Sequence, residues 1–470
     1  MAQDEISEFD VRNPATGSVL KRVPDASPAD LDAAVARARA AFPGFAALTY
    51  AERREMLDAF GDRVLAYVDE LKRLLTSEQG KPYVEAEQEI MAFAFYIKGM
   101  LALDLPVDER VDMLGRVAQT HRRPLGVVGA ITPWNFPVAL AAFKLAPALL
   151  TGNTVVLKPS PYTPLTTLRI AELAEGVLPP GALTVITGSD RLGPWITAHP
   201  GIDKVSFTGS TETGRRVMAS AANTLKRVTL ELGGNDAAIV LPDVNVGEVA
   251  QRLFWSAFTN AGQLCIAVKR LYIHRDIYEP LKQALLDYAA TIRVGEGAEK
   301  GTQIGPLNNK AQYDRVRELI ADARDRGYAV LSGEAPADDL PGYFVPITFV
   351  DNPPEDSRIV QEEQFGPVLP LIVFDDVEDA IARANASPYG LGGSIWSADV
   401  PRATALARRL EAGTVWINES AYISPLSPFA GNKQSGLGAE GGIESLMEYT
   451  QPQTLFLPQE TPSPLEAAHS

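Results

Sequence analysis

Cysteine is almost missing from this 470-residue chain: Cys265 stands alone, so no disulfide can form within it. Histidine is nearly as scarce. The four present (His121, His199, His274 and His469) are scattered and leave no Cys/His cluster of zinc-binding spacing, so no metal is expected. Basic side chains are the minority, 43 against 59 acidic ones, for a net charge of −16. A surface of that sign repels phosphate backbones and anionic headgroups, which disfavours nucleic-acid and membrane partners. Long hydrophobic runs are lacking too. The most apolar stretch, 125–150, is broken by Pro133, Asn135, Pro137 and Lys144, and it reads as a buried strand followed by a helix. The acidic opening MAQDEISEFD has neither the basic nor the apolar region of a secretion signal. With a free thiol, this makes the cytoplasm the expected location.

What is present describes a large globular chain. Hydrophobic residues make up 46% and charged residues 22%, and the length exceeds one ordinary core, so two or three domains are expected. From Leu31 to about Met100, apolar residues recur at three- and four-residue intervals, a helical rhythm that Gly80 can interrupt. Short apolar runs then alternate with helical segments: LGVVGAIT, TVVLKPS, ALTVITG, KVSFTG and KRVTLEL. Pro137 suits the first turn of one of these helices and Gly152 its end. Five strands spaced in this way predict a parallel α/β sheet of the nucleotide-binding kind. A second α/β block is read after Cys265, with KRLYIH, VLPLIVF, GGSIWS and GTVWIN as strands. GRVAQTHRRPLG reads as a polar extended hairpin which, with QTLFLP, suits a small lobe or a subunit contact. The Pro- and Ser-bearing end is expected to fray.

Two stretches imitate phosphate loops. GLGAEG (436–441) matches G-x-G-x-x-G but follows no strand and opens no βαβ unit, so it reads as a turn. GSTETGRR (209–216) follows a strand, but Arg215 and Arg216 replace the lysine and hydroxyl of a nucleoside-triphosphate loop. What survives is Gly209 and Ser210 at a strand-to-helix turn, where backbone N–H groups suit a pyrophosphate.

The lone cysteine lies in NAGQLCIAVKR, a Gly-led segment that suits a nucleophile as well as it suits a small structural residue. PWNFP (133–137), LKPS (157–160), LELGG (230–234) and EEQFGP (362–367) each have an ordinary reading as turns, strand ends or a solvated acidic pair. Together with GQLC, in this order, they resemble the aldehyde dehydrogenase superfamily. The likeness runs from RNPATG (12–17) through EQGKP (78–82) to FAGNKQSGLGAEGG (429–442). It implies a Rossmann-like parallel-sheet cofactor domain (1–104 and 126–231) and a second α/β catalytic domain (232–433). A β-hairpin oligomerisation element (105–125 and 450–461) and a flexible tail (462–470) complete the division, with a homodimer or homotetramer expected.

By that resemblance, Cys265 is the nucleophile, forming a thiohemiacetal and then a thioester. A free thiol is mostly protonated at neutral pH and needs activation. Asn135 and the Cys265 backbone N–H supply an oxyanion hole, worth roughly 3 kcal/mol per donor. Glu231, 34 residues before the cysteine, is the base that activates water, which favours release of a free acid over transfer to coenzyme A. Lys158 contacts the adenosine ribose, Gly209 and Ser210 the pyrophosphate, and Glu363 the nicotinamide ribose, with Phe365 and Trp134 alongside. Thr132, Pro133, Ser160, Phe207, Leu232 and Gly233 complete the expected cofactor contacts. NAD or NADP is implied, NAD slightly favoured. Pro161 stands where many NAD-preferring relatives carry a glutamate, which leaves room for a 2′-phosphate. Asn235-Asp236 replaces a frequent lysine and small residue, and Ala430 a frequent glycine.

Phe136, Leu140, Phe143, Leu264, Ile266, Tyr422, Ile423 and Phe429 match the aldehyde channel. The first three fall at i, i+4 and i+7 and are read as one helical face, with core packing as the alternative. No Lys or Arg stands among them to clamp a second carboxylate, so an uncharged aliphatic or aromatic aldehyde is expected. A cofactor-free thiol hydrolase and a silent binding protein are the rival readings. The retained cofactor motifs oppose the first, and the intact nucleophile, oxyanion donor and base oppose the second.

Overall fold

The computed structural model describes residues 7–113, 116–333 and 341–457. The anticipated tail, 462–470, and residues 458–461 of the oligomerisation element lie outside the described residues.

The helical region is four helices, Pro28–Ala47, Tyr50–Ala66, Val68–Gln79 and Tyr83–Met100. Capping boxes at Ser27 and Thr49 start the first two, and Gly80, at φ +102°, stops the third. The five predicted strands all form. With Gly436–Leu437 at one edge, they make a six-stranded sheet in the order 436–437, 227–231, 204–208, 127–131, 154–158, 183–185. Four pairs run parallel and the edge strand is antiparallel. Strand side chains alternate between two covered faces. Val128, Ala130, Val155 and Leu157 pack under the helices 50–100 and 139–150. Val127, Ile131, Val156 and Val205 pack against the helix Pro28–Ala47 and its neighbours. GLGAEG thus opens as an edge strand rather than a nucleotide loop.

A seven-stranded sheet follows in the order 329–332, 348–351, 368–374, 268–274, 236–240, 392–396, 414–417, parallel except for its first pair. It includes the four strands anticipated after Cys265. The block nevertheless begins earlier, at Asp236–Val240 and the helix Val246–Phe258, because DAAIV is too short a run to stand out from the preceding strand. The polar hairpin is Asp108–Val111 and Val117–Pro124, which Thr450–Leu457 joins to complete a three-stranded antiparallel sheet. No helix among the described residues is long and apolar enough to cross a membrane.

Between the two large sheets, the segment bearing Cys265 enters through a 3-10 turn, Thr259–Gly262, in which Asn260 and Ala261 take φ of +53° and +56°. Gly262 follows at φ +73°, and a Cβ there would lie 2.3 Å from the Gly366 carbonyl oxygen. A side chain at this position must push two loops of the cleft apart. Gly262→Ala is therefore expected to cost roughly 2 kcal/mol or more, read as a lowered denaturant midpoint.

Candidate active site

The carboxyl ends of the first sheet's strands open onto a cleft of about 620 Å³, the usual ligand position in such sheets. Pro133, Trp134, Asn135, Gly209, Ser210, Leu232, Gly233, Cys265, Glu363 and Phe365 all line it. Residues from both sheets, far apart in sequence, thus share one wall. At the strand-to-helix turn after Thr208, a Cβ on Gly209 would meet the Phe207 ring at 2.5 Å, so the backbone lies flat on that ring. Ser210 caps the helix Thr211–Ala222 by accepting from the Thr213 N–H, which leaves a positively polarised helix end facing the cleft. Trp134 meets Phe365 edge to face at 5.4 Å. Phe365 is held at φ +52°, its carbonyl accepting from Gln312 Nε2 at 3.0 Å.

Asn135 is fixed from three sides. Its Nδ2 donates to the Gln263 carbonyl at 3.0 Å, which leaves its second amide hydrogen for the cleft. Its own carbonyl accepts from Lys81 Nζ at 3.0 Å and from Asn260 Nδ2 at 2.9 Å. Lys81 is buried against Glu89, whose other oxygen accepts from the Val138 and Ala139 N–H groups. The oxyanion candidate is thereby locked to the helix Tyr83–Met100. EQGKP, matched only as part of a family resemblance, supplies that lysine.

Cys265 sits in a turn closed by the Ala267 N–H donating to the Leu264 carbonyl at 3.1 Å. Burial pushes its thiol up to about 12; Lys269 opposes this, and Glu363, Asp236 and Glu231 add to it. Glu231 ends its strand with both carboxylate oxygens buried and, among the described residues, without a hydrogen-bond partner. Burial, then Glu440, hold its acid well above the usual carboxylate range, with Lys144 opposing. Lys144 itself is committed to Glu440 and Thr208, each at 2.8 Å, and to Ser206 at 3.2 Å.

Lys158 ends the strand beside Val127–Ile131 and is 4% exposed. Its Nζ reaches only the carbonyl of the adjoining Pro159, at 3.3 Å. Burial draws it down to about 8, with Asp190 and Asp25 opposing. Thr132 Oγ1, one strand over, is buried without a partner among the described residues. Buried polar groups are normally satisfied. A lightly engaged ammonium and a free hydroxyl at strand ends of the sheet whose Thr211–Ala222 helix end faces the cleft fit the hydroxyls and phosphates of a dinucleotide. Ser160 accepts from the Tyr162 N–H at 3.3 Å on the same turn. Glu363 accepts from the Gly234 N–H at 3.2 Å, and a Cβ on Gly233 would lie 2.4 Å from its Oε2.

The channel candidates separate. Leu264, Ile266, Ile423 and Phe429 cluster with Cys265, Leu391 and Trp416, and Leu140 lines the cleft. Phe143 is buried in the helical core, stacked on Tyr96 at 4.0 Å. The shared helical face is corrected: the helix starts at Ala139, so Phe136 and Pro137 precede it. Pro137 does not sit in its first turn, because the chain between Pro133 and Pro137 is bent around Asn135. Phe136 instead lies under the Lys81 ammonium, 3.7 Å from its ring centre. Tyr422 is 56% exposed, and only its carbonyl turns inward, accepting from Trp416 Nε1 at 2.9 Å. Lys81, Asn260, Gln263, Lys269 and Tyr389 stand at the site without having been anticipated there; Asn260, Gln263 and Lys269 lie inside NAGQLCIAVKR.

The aldehyde dehydrogenase family model matches residues 1–455. Phenylacetaldehyde dehydrogenase of Pseudomonas fluorescens is 41% identical over 96% of this chain and 92% of its own length. The NADP-dependent succinate-semialdehyde dehydrogenase GabD of Escherichia coli is 38% identical over 94% of this chain and 93% of its own. PnpE, known from Pseudomonas sp. WBC-3, in its complex with nicotinamide adenine dinucleotide, superposes with a TM-score of 0.93. It is 38% identical, covering 97% of this chain and 95% of that one. The chain belongs to the aldehyde dehydrogenase family. It is an NAD- or NADP-dependent aldehyde dehydrogenase.

The unspent Lys158 has a stability consequence. Its folded value, about 8, lies below the 10.5 of a free lysine, so between those values the unfolded chain binds more protons and stability rises with pH. Lys158→Met is expected to be about 1–3 kcal/mol more stable than the parent at pH 7, the advantage shrinking as pH rises beyond 8. Denaturant titrations at pH 7 and pH 9.5 measure both.

Proposed function

We propose that the enzyme oxidises uncharged aliphatic or aromatic aldehydes to free carboxylic acids. In this reading Cys265 is the nucleophile, Asn135 the oxyanion donor and Glu231 the base. The observation that carries it is Glu231, whose carboxylate is buried beside the thiol's cleft with no hydrogen bond of its own. A structural glutamate in that position would be paired.

The thiol gives its proton to a base, and sulfur adds to the aldehyde carbon as the carbonyl π pair moves to oxygen. Asn135 Nδ2–H and the Cys265 N–H donate to that oxyanion. Bound NAD or NADP supplies the hydride acceptor; Lys158, Ser160, the Gly209–Ser210 turn and Glu363 would hold it, with Trp134 and Phe365 beside it. Glu231 then takes a proton from water, whose oxygen adds to the thioester carbon. Collapse breaks the C–S bond, returning the sulfur as thiolate and releasing the acid. Glu231 must be ionised to act, and burial holds its acid above the usual carboxylate range, so the hydrolytic step is expected to speed up as pH rises.

Support for the substrate class comes from the lining. Leu140, Leu264, Ile266, Ile423 and Phe429 present apolar surface around Cys265. The nearby cations are engaged, Lys81 by Glu89 and Arg315 by Glu362 at 2.9 Å. Likeness to a phenylacetaldehyde dehydrogenase agrees with this, although a succinate-semialdehyde dehydrogenase is also similar. A homodimer or homotetramer built on the three-stranded sheet is supported by the exposed Val111, Leu455 and Phe456 on it. The need for a reduced thiol fits the cytoplasm.

Cys265→Ser is expected to abolish production of reduced cofactor. Glu231→Gln should give one equivalent of it per site and then stall. Parental steady-state turnover by Glu231→Gln would remove Glu231 as the base. In a comparison of kcat/KM, a medium-chain aldehyde and benzaldehyde should exceed succinic semialdehyde; the reverse order overturns the apolar-channel reading.

A further inference from the structure

Four residues beyond the cysteine, Lys269 is 3% exposed at the head of the strand Val268–His274 and takes no part in the mechanism above. Its Nζ donates to the carbonyls of Cys265 at 2.5 Å and Leu264 at 2.9 Å, with Ala267 at 3.5 Å. These are the carbonyls of the turn that carries the thiol. The same ammonium lies 3.4 Å from Glu363 Oε1, the oxygen that also accepts from the Gly234 N–H. One buried cation thus bridges the nucleophile's backbone and the carboxylate assigned to the nicotinamide ribose.

The charges around the thiol come from four elements. Lys269 is the cation; the acidic groups are Glu363 in the loop after Gln361, Asp236 at the start of its strand and Glu231 at the end of its own. Three acidic groups around a thiol oppose its ionisation, and a buried ammonium among them favours it. Asp236 is itself fixed, its Oδ1 accepting from the Gly392 N–H at 3.1 Å while Oδ2 has no partner. Asn235-Asp236 is also where this chain departs from its family's frequent lysine and small residue. The local positive charge comes instead from Lys269, across the sheet on the neighbouring strand.

We propose that Lys269 is a positioning residue: its ammonium ties the turn carrying Cys265 to Glu363 and provides the positive charge that favours the thiolate, with Asp236 as its counterweight. The proposal rests on Cys265 being the reactive thiol. Its test does not need turnover, so failure of the proposed catalytic cycle and failure of this inference are separable.

Cys265 is the only thiol in the chain, so alkylation by iodoacetamide reads this position alone. The rate is measured from pH 6.5 to 10 in the full-length enzyme, with the melting temperature as the check on folding. Lys269→Met should alkylate roughly tenfold more slowly at pH 8, its profile displaced about one unit upward. Asp236→Asn should move the other way, alkylating faster. A purely structural role for either residue does not produce opposite displacements. Should Lys269→Met fail to fold, Asp236→Asn alone decides, by faster alkylation or by none. Profiles that coincide with the parent's, or that shift in the same direction, overturn the proposal.

Discussion

Four residues, 232–235, join the last long strand of the six-stranded sheet, Arg227–Glu231, to the first strand of the seven-stranded one, Asp236–Val240. Fully extended they span only about 14 Å, so the carboxyl end of one sheet is tethered to an interior strand of the other. The segment is anchored at each step. The Leu232 N–H donates to the Ser435 carbonyl at 2.8 Å, the Gly234 N–H to Glu363, and Asn235 Nδ2 to the Val360 carbonyl at 2.8 Å. A Cβ on Gly234 would lie 2.7 Å from the Cys265 carbonyl oxygen. LELGGN is therefore the place where the backbone of one sheet touches the nucleophile segment of the other, and the pair of glycines is what permits that contact.

Around this joint the buried charges fall into two kinds. Lys81 with Glu89, and Lys144 with Glu440, are paired and hydrogen-bonded, and they fix loops and helices in place. Glu231 and Lys158 are buried without such partners. Burying an unpaired ionisable group opposes folding, a cost that the cofactor and base roles proposed for these two would account for. The paired set also explains how unpaired groups stay oriented: Lys144 holds the wall beside Glu231, and Lys81 holds the carbonyl of Asn135.

Much of this architecture was readable in the chain. The strands Val127–Ile131, Thr154–Lys158 and Lys204–Thr208 are buried along their whole length, and the first two carry the apolar runs VVGAI and VVL that mark such strands in a sequence. Asp236–Val240 was hidden because only four residues separate it from the strand before. Asn135 and Cys265 were found through motif resemblance, and the cleft gathers both. Lys269 and Lys81 were passed over because a lysine in a linear sequence is usually solvated; only the folded chain shows which carbonyls take its protons. Tyr422, also drawn from the resemblance, is 56% exposed, and beside it Ala421 takes φ +60°, a local conformation that no motif signals.

The short strand Gly436–Leu437, which closes the edge of the first sheet next to Glu231, comes from almost the far end of the described chain. Glu440 and the helix Gly442–Glu448 follow it directly, and the last of the three-stranded sheet's strands completes the path. The edge of the first sheet beside Glu231 is therefore closed only by the last part of the described chain, after every other strand of both large sheets. A chain cut short before residue 436 would keep the strand that carries Glu231 yet lose both its edge partner and Glu440, the carboxylate that holds Lys144.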